Sequence, residues 1–467
     1  MGGVLTSWSA VEIARAIRER EVSAREVVQA HLERIDECNP KVRAVTSVLA
    51  DEGLAAADAA DAAVARGEEL GPLHGVPMTV KENVDVAGSA TTQGVTALAR
   101  AVPPVDAPHV AQLRRAGAIA IGRTNLPDFG LRWHTENGLH GATRNPWDAS
   151  RTPGGSSGGD AAALATGMTP LGNGNDYGGS LRVPSQFCGT AAIRPTLGRV
   201  AQHDALAPSE PTMTLQLFAV QGPMARCVRD LRVALAAMSD RDGRDPWWTP
   251  APLAGESEAS AVPVAVVACP PGGGVHPDVE AGVRRAADAL ADAGYRVEEV
   301  EPPGVLEAAE LWSSLVFAEI RSALLPFLRP ILSREALRFL DLALESAPES
   351  DLPRYTAGLA ARQGIARRWS VFQERTPLVL GPVCTEPPFH VGRDLESAAS
   401  VREILLSMRM VVAVNLLGLP AAAVPVGEGG GLPQGVQIIG PRYREDLCLD
   451  AAEVIESRLG TLTPIDP

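Results

Sequence analysis

Lysine is almost absent from this 467-residue chain: of 42 basic side chains only Lys41 and Lys81 are lysine, and the rest are arginine. A lysine that persists in so arginine-rich a sequence suits a task that a guanidinium cannot perform, such as giving up its proton. Lys41 follows Asn39-Pro40 and reads as an exposed turn residue. Lys81 ends the apolar run Val76-Pro77-Met78-Thr79-Val80, which predicts an amine at the end of a buried strand. Desolvation there lowers the lysine pKa, and a neutral lysine can take the proton of a serine without any histidine.

Two glycine-rich segments supply serines for such a base. Ser156 and Ser157 follow Gly154-Gly155 and lead through Gly158-Gly159-Asp160 into an alanine-rich helix. Ser180 closes the run Asp176-Tyr177-Gly178-Gly179 and is followed by Leu181-Arg182. A serine preceded by two glycines exposes backbone N–H groups that can hold the oxyanion of an acyl-transfer intermediate, at roughly 2.7–4 kcal/mol per donor. The alternatives fit less well. Gly154 to Gly158 matches G-x-S-x-G, but the nucleophile elbow needs a preceding hydrophobic strand, and the flank here is Ser150-Arg151-Thr152-Pro153. His203, His276 and His390 lie downstream without a distinctive context. The run from Gly172 to Gly178 misses the third glycine of a dinucleotide loop, and no glycine loop has P-loop lysine spacing. Neither HExxH nor paired Cys/His spacing occurs, so no metal and no organic cofactor is expected.

The elements that must position these residues alternate between helix and strand. Apolar spacing predicts helices at 8–20, 24–37 and about 50–66, strands at Val76–Val80 and Ala118–Gly122, and a helix near 107–116. A glycine- and serine-rich region with turns at 150–200 surrounds a short helix. Next come a helix at 225–238 and a proline-rich connection to about 260. Strands at Pro263–Ala268 and Tyr295–Val300 flank a helix at 278–293. Residues 305–375 read as helical, interrupted at Pro326 and Pro330. Strands return near 377–381, 421–426 and 434–439, with helices at 395–412 and 445–458. This alternation predicts an α/β layer fold. The absence of repeats or a long linker favours one large domain over residues 1–467.

Composition narrows the function classes. A formal charge of −14 and 4% aromatic residues argue against a nucleic-acid partner. Six scattered cysteines without CxxC pairs read as free thiols of a reducing compartment. No signal peptide is recognised, and the match of Met1-Gly2 and Thr6 to an acylation pattern is too short to use. The apolar stretch Met410 to Gly427 is broken by Asn415, Pro420 and Pro425, so no membrane span is expected. A cytoplasmic protein follows.

Taken together, the motifs resemble those of the amidase signature family. Gly75 to Asp85 looks like its lysine motif, Pro153 to Gly159 and Asp176 to Pro184 like its two serine motifs. Thr124 to Phe129, Asn145 to Asp148, Arg194-Pro195-Thr196 and Gly222 to Arg226 look like its connecting landmarks. The resemblance is dense from 70 to 232, returns at Asn415 to Pro420 and Gly431 to Pro441, and is thin over 240–400, a region that varies with substrate in that family. It implies a central mixed β-sheet with helices on both faces and a Ser–Ser–Lys triad. Ser180 would be the nucleophile that forms an acyl-enzyme, Ser156 the bridging serine after a cis peptide bond, and Lys81 the neutral base. Backbone N–H groups of Tyr177, Gly178, Gly179 and Ser180 would form the oxyanion hole. Gly130 would contact substrate, and Ser157, Asp176 and Arg182 would support the loop.

The implied activity is metal-independent hydrolysis of a small-molecule amide, with esters also reacting. A glutamine-dependent amidotransferase subunit and an acyl transferase or amide synthase are the alternatives. A homodimer is common among the family's bacterial members. Three positions depart from the pattern: Asn175 replaces a small hydroxyl residue, Tyr177 a smaller side chain, and Glu82 an aspartate. Leu131, Trp133, His134, Phe187 and the loop Pro387-Pro388-Phe389-His390 are candidates for lining an apolar or aryl acyl pocket.

Overall fold

The run that ends at Lys81 is a strand with every residue buried, Pro77–Lys81. It belongs to a computed structural model that describes residues 5–255 and 261–467. Met1-Gly2 and the last residues of the 240–260 connection lie outside the described residues. In chain order the described strands are β1 (Val45–Val48), β2 (Pro77–Lys81), β3 (Ile119–Thr124), β4 (Glu136–Asn137), β5 (Gly141–Ala142), β6 (Leu171–Asp176) and β7 (Ala191–Arg194). They continue with β8 (Val220–Ala225), β9 (Pro263–Val266), β10 (Arg296–Glu299), β11 (Leu378–Pro382), β12 (Ala421–Gly429) and β13 (Leu432–Ile439). Eleven form one sheet in the order β1-β3-β2-β6-β8-β7-β12-β13-β11-β9-β10, and β4 pairs with β5 alone. The sheet is mixed: β2 runs parallel to β3 and β6, whereas β6 and β8 are antiparallel.

Helices cover both faces, because successive strand residues point to opposite sides and both sides are apolar. Val264, Leu378, Ala422 and Ile438 join one core with Val27, Val110, Leu231 and Val283 of the helices on that face. Their neighbours Ala265, Val379, Ala423 and Ile439 join a second core with Leu315, Phe339, Val401 and Val411. One helical run, Val305–Leu328, has the length and apolar content of a membrane span; here Val305, Ala308, Trp312, Leu315 and Val316 pack into the second core.

The structure departs from the sequence expectations at several elements. Leu171–Asp176, expected as a glycine-rich turn, is a central strand. Gly174 is explained by the close approach of Ser157, the N-cap residue of the helix Gly158–Ala165: a Cβ there would lie 2.7 Å from Ser157 Oγ, whereas one at Gly172 would make an ordinary 3.4 Å contact with Asp160 Cβ. Strands β1, β7 and β8 also escaped the pattern, being short or rich in Ala, Gly and Pro, which carry little strand preference. The second helix runs on through Pro40 to Val42, placing exposed Lys41 in its last turn rather than in a loop. The expected helix 395–412 divides at Met408 into Ala398–Ser407 and Arg409–Leu417. Before Pro326, which has no N–H to donate, the helix widens into a π-turn at Ile320–Leu324.

The packing at Gly174 yields a stability prediction. Gly174→Ala should lose about 1–3 kcal/mol in urea unfolding, the usual range for overpacking. Gly243→Ala, where a Cβ would meet nothing within 4 Å, should unfold with the parent protein.

Candidate active site

Lys81 sits at the C-terminal end of β2, fully buried. Its Nζ lies 2.7 Å from Ser156 Oγ and 2.8 Å from Asn175 Oδ1. Burial drives the amine far below its ordinary pKa, while the nearby Asp160 and Asp176 carboxyls act in the opposite sense. Asp160 is also buried, and burial pushes its pKa up towards the neutral acid. Its Oδ1 accepts from Thr124 Oγ1 at 2.7 Å, and its Oδ2 has no hydrogen-bond partner among the described residues. Asp176 behaves differently. Burial opposes its ionisation, yet Arg182 and Arg194 hold its carboxyl well below the usual range. Arg182 grips it through Nε at 3.1 Å and Nη2 at 3.0 Å.

The two serine segments are tied to each other. Ser156 follows a cis peptide bond from Gly155, and the Ser157 N–H donates to the Ser180 carbonyl at 3.2 Å. Gly130 packs against the bridging position: a Cβ there would lie 3.1 Å from Ser156 Oγ. The Asp176 carboxylate straddles Ser180, accepting from the Gly179 N–H at 2.9 Å and the Leu181 N–H at 3.2 Å. Of the four amides expected in the oxyanion hole, Gly179's is therefore committed to Asp176. Those of Tyr177, Gly178 and Ser180 donate no hydrogen bond among the described residues. Ser156 and Ser180 are 3% and 6% exposed, so substrate meets them in a desolvated site.

Two indole rings stand over this loop, with Phe339 packed behind one of them. Trp312 lies 5.9 Å from Tyr177 and 6.4 Å from Trp133, centroid to centroid, and Trp133 meets Phe339 edge-on at 6.2 Å.

The Amidase family profile matches residues 26–449. This chain belongs to the amidase signature family. It is 45% identical, over 98% of its length and 88% of the relative's, to a protein of Bradyrhizobium diazoefficiens named Indoleacetamide hydrolase. It is 34% identical, over 98% of its length and 99% of the relative's, to a Glutamyl-tRNA(Gln) amidotransferase subunit of Salinispora arenicola. Its fold superimposes with a TM-score of 0.83 on a bacterial aryl acylamidase of the amidase signature family, at 25% identity, covering 96% of each chain. The chain is an amidase: it hydrolyses carboxylic amides.

Against this amidase frame the three departures acquire places. Asn175 accepts from Lys81, and its Nδ2 donates to Asn83 Oδ1 at 3.0 Å, which fixes its carbonyl towards the amine. The Tyr177 hydroxyl lies 2.7 Å from Thr214 Oγ1. Glu82 Oε2 lies 2.8 Å from His140 Nε2. The expected pocket residues divide. Trp133 joins the aromatic group, and Leu131 lies partly buried against the second core. His134 is buried against Thr152 Oγ1 at 3.0 Å, and burial pushes its pKa down. Phe187 and Phe389 pack edge-on against each other at 6.0 Å. The 387–390 loop lines a separate cavity of about 420 Å³ with Arg151, His276 and Arg393, and no triad residue reaches it.

Sequence reasoning missed Asp160, Trp312 and the contact of Asn175 with Lys81. Only Asn175 carried a signal, as an amide where the family pattern has a hydroxyl.

With Lys81 as the base that the sequence leads one to expect, the neutral amine is the active form, and activity should rise with pH through the lysine pKa. Asn175→Asp places an anion beside Nζ and favours the ammonium, so the acid limb of the kcat/KM profile should move up by roughly 1–3 pH units. Asp160→Asn removes a carboxyl that in its ionised form favours the ammonium, and should move it down. Unchanged profiles in both variants would refute the role given to these two neighbours.

Proposed function

We propose that this amidase hydrolyses primary amides of arylacetic acids, with indole-3-acetamide as the first candidate. The observation that carries this reading is the aromatic group of Tyr177, Trp312, Trp133 and Phe339 against the Ser180 loop. A flat apolar acyl group gains burial and ring contacts there. The 45% identical relative named Indoleacetamide hydrolase supports the same acyl class. Trp312 and Phe339 come from the 240–400 region, which on this reading shapes substrate preference.

In the proposed reaction Ser180 Oγ attacks the amide carbonyl carbon. Its proton passes to Ser156, and the Ser156 proton passes to the neutral Lys81 Nζ. Backbone N–H groups of the loop hold the oxyanion of the tetrahedral intermediate. The ammonium of Lys81 returns a proton through Ser156 to the leaving nitrogen as the carbon–nitrogen bond breaks, and ammonia departs. Water then enters by the same proton path, cleaves the Ser180 ester and releases the arylacetic acid.

A second reading, release of ammonia from glutamine for a partner, is favoured by the relatives named as Glutamyl-tRNA(Gln) amidotransferase subunits. Glutamine carries a carboxylate and an ammonium that need charged partners. Arg132, the cation next to Trp133, is already bound to Asp394 at 2.8 and 3.2 Å and to Glu136 at 3.0 Å.

The purified chain, given indole-3-acetamide, phenylacetamide, acetamide and glutamine, should release ammonia from the two arylacetamides at least roughly tenfold faster than from acetamide, the scale set by filling or emptying an apolar pocket. Ser180→Ala should abolish release. Preference for glutamine would transfer support to the amidotransferase reading. Hydroxamate formation outrunning hydrolysis when hydroxylamine is added would point to an acyl transferase. Lys81→Arg should be as inactive as Lys81→Ala across the pH range, because a guanidinium stays charged; activity in the arginine variant would exclude the neutral-lysine base.

A further inference from the structure

The loop before Ser180 contains two consecutive glycines, and Gly179 adopts φ +95°. Such a segment has wide conformational freedom, so the orientation of its peptide planes must be imposed from outside. Two indole N–H groups do this. Trp312 Nε1 donates to the Tyr177 carbonyl at 3.2 Å, and Trp133 Nε1 donates to the Gly178 carbonyl at 2.8 Å. In a planar trans peptide the C=O and the following N–H point in opposite directions. Holding the Tyr177 carbonyl on the indole side therefore turns the Gly178 N–H to the other side, where it has no protein acceptor among the described residues. Holding the Gly178 carbonyl likewise turns the Gly179 N–H towards its acceptor, Asp176 Oδ1.

The indoles are themselves fixed. Both are buried, at 3% and 7% exposure, and they touch each other. Gly178 seats directly on Trp312, where a Cβ would come within 2.8 Å of Cζ2. The ring of Tyr177 is anchored through its hydroxyl. Thr214 Oγ1 donates to Glu319, so the Tyr177 phenol donates to Thr214, and Tyr355 donates to the same carboxylate. Glu319 ends the helix Val305–Glu319 that carries Trp312, so one helix holds the Tyr177 backbone and, through Thr214, its side chain.

We propose that Trp312 is a positioning residue for amide hydrolysis: its indole N–H locks the Tyr177–Gly178 peptide so that the Gly178 N–H faces the oxyanion formed at Ser180. Trp133 locks the next peptide plane in the same way. This rests on Ser180 being the nucleophile. It makes Trp312 serve two purposes, as a wall for the acyl group and as a brace for the oxyanion donor, and the two separate experimentally.

Replacing the Trp312 indole by benzothiophene keeps the bicyclic ring and deletes only the N–H; Trp312→Phe is the simpler variant. With an arylacetamide, kcat should fall about 10- to 100-fold, short of the ~10²–10³ lost when a direct oxyanion donor is deleted, while KM changes less than about threefold. Inactivation by an aryl fluorophosphonate, whose phosphoryl oxygen takes the oxyanion position, should slow in parallel with kcat. A folded benzothiophene variant with kcat within about twofold of the parent overturns the proposal. So does a loss confined to KM with unchanged inactivation, which would leave Trp312 as a wall only. Should Trp312→Phe not fold, the benzothiophene protein decides alone. Ser180→Ala, run alongside, separates the two readings. Activity in that variant removes the nucleophile assignment, whereas a dead Ser180→Ala beside a fully active Trp312 variant removes only the positioning role.

Discussion

Lys81 Nζ meets two neutral oxygens, of Ser156 and Asn175, and no carboxylate among the described residues is in hydrogen-bond contact with it. A buried amine favours its neutral form only while it stays unpaired with an anion, because an ion pair would hold it as ammonium. The surrounding architecture respects that constraint. Asp176, a fixed anion, is answered by Arg182 rather than by the lysine. Asp160, on the helix packed against β6, is pushed towards the neutral acid and takes a bond from Thr124. Gly174 of β6 leaves room for Ser157, the neighbour of Ser156 in the turn that opens that helix. Each of these arrangements would be ordinary core packing elsewhere. Around Lys81 they favour the uncharged amine that the proposed mechanism uses as its base.

The loop that carries Ser180 is framed from distant parts of the chain. Its carboxylate, Asp176, is held by Arg182 and by Asn415 Nδ2 at 2.8 Å, and Arg182 also binds Asn415 Oδ1 at 2.6 Å and Gln437 Oε1 at 2.8 Å. Removing one member of such a buried pair leaves an unanswered charge, typically at about 3–5 kcal/mol. From the other side, the 240–400 region contributes Trp312 and Glu319. The segment with the fewest family motifs thus touches the loop directly through Trp312, whose indole N–H donates to the Tyr177 carbonyl.

Lys81, Ser156 and Ser180 were legible as candidates in the sequence because the chemistry proposed for them leaves marks on composition. Lys81 stands out in a chain that otherwise uses arginine, and the serines sit among glycines that few structures other than tight turns and close approaches require. The alternation of helix and strand gave the layer architecture. The centre of the sheet was not legible, because Leu171–Asp176 looks like a turn to any rule based on local preference. Its Gly174 answers the Ser157 turn packed across it, and that contact is tertiary. Trp312 was invisible for a related reason. A tryptophan in an apolar helix reads as core, and nothing local marks that its N–H is aimed at a carbonyl 135 residues away in the chain. Asn175 was visible as an exception, yet the partner that explains it, Asn83, lies on the segment after β2.

The stitching of Arg182 to Asn415 and Gln437 has a consequence for how the enzyme comes into being on the ribosome. β6 and the helix Arg182–Cys188 are synthesised well ahead of β12, the neighbour that β7 waits for, and Arg182 waits for two amide partners 233 and 255 residues further along the chain. A nascent chain that has emerged only as far as the 240–400 region holds Lys81, Ser156 and Ser180 and lacks Asn415 and Gln437, which bind Arg182. The Arg182 network is therefore completed only once Gln437 has been made, and products that stop earlier carry the serine motifs without that scaffold.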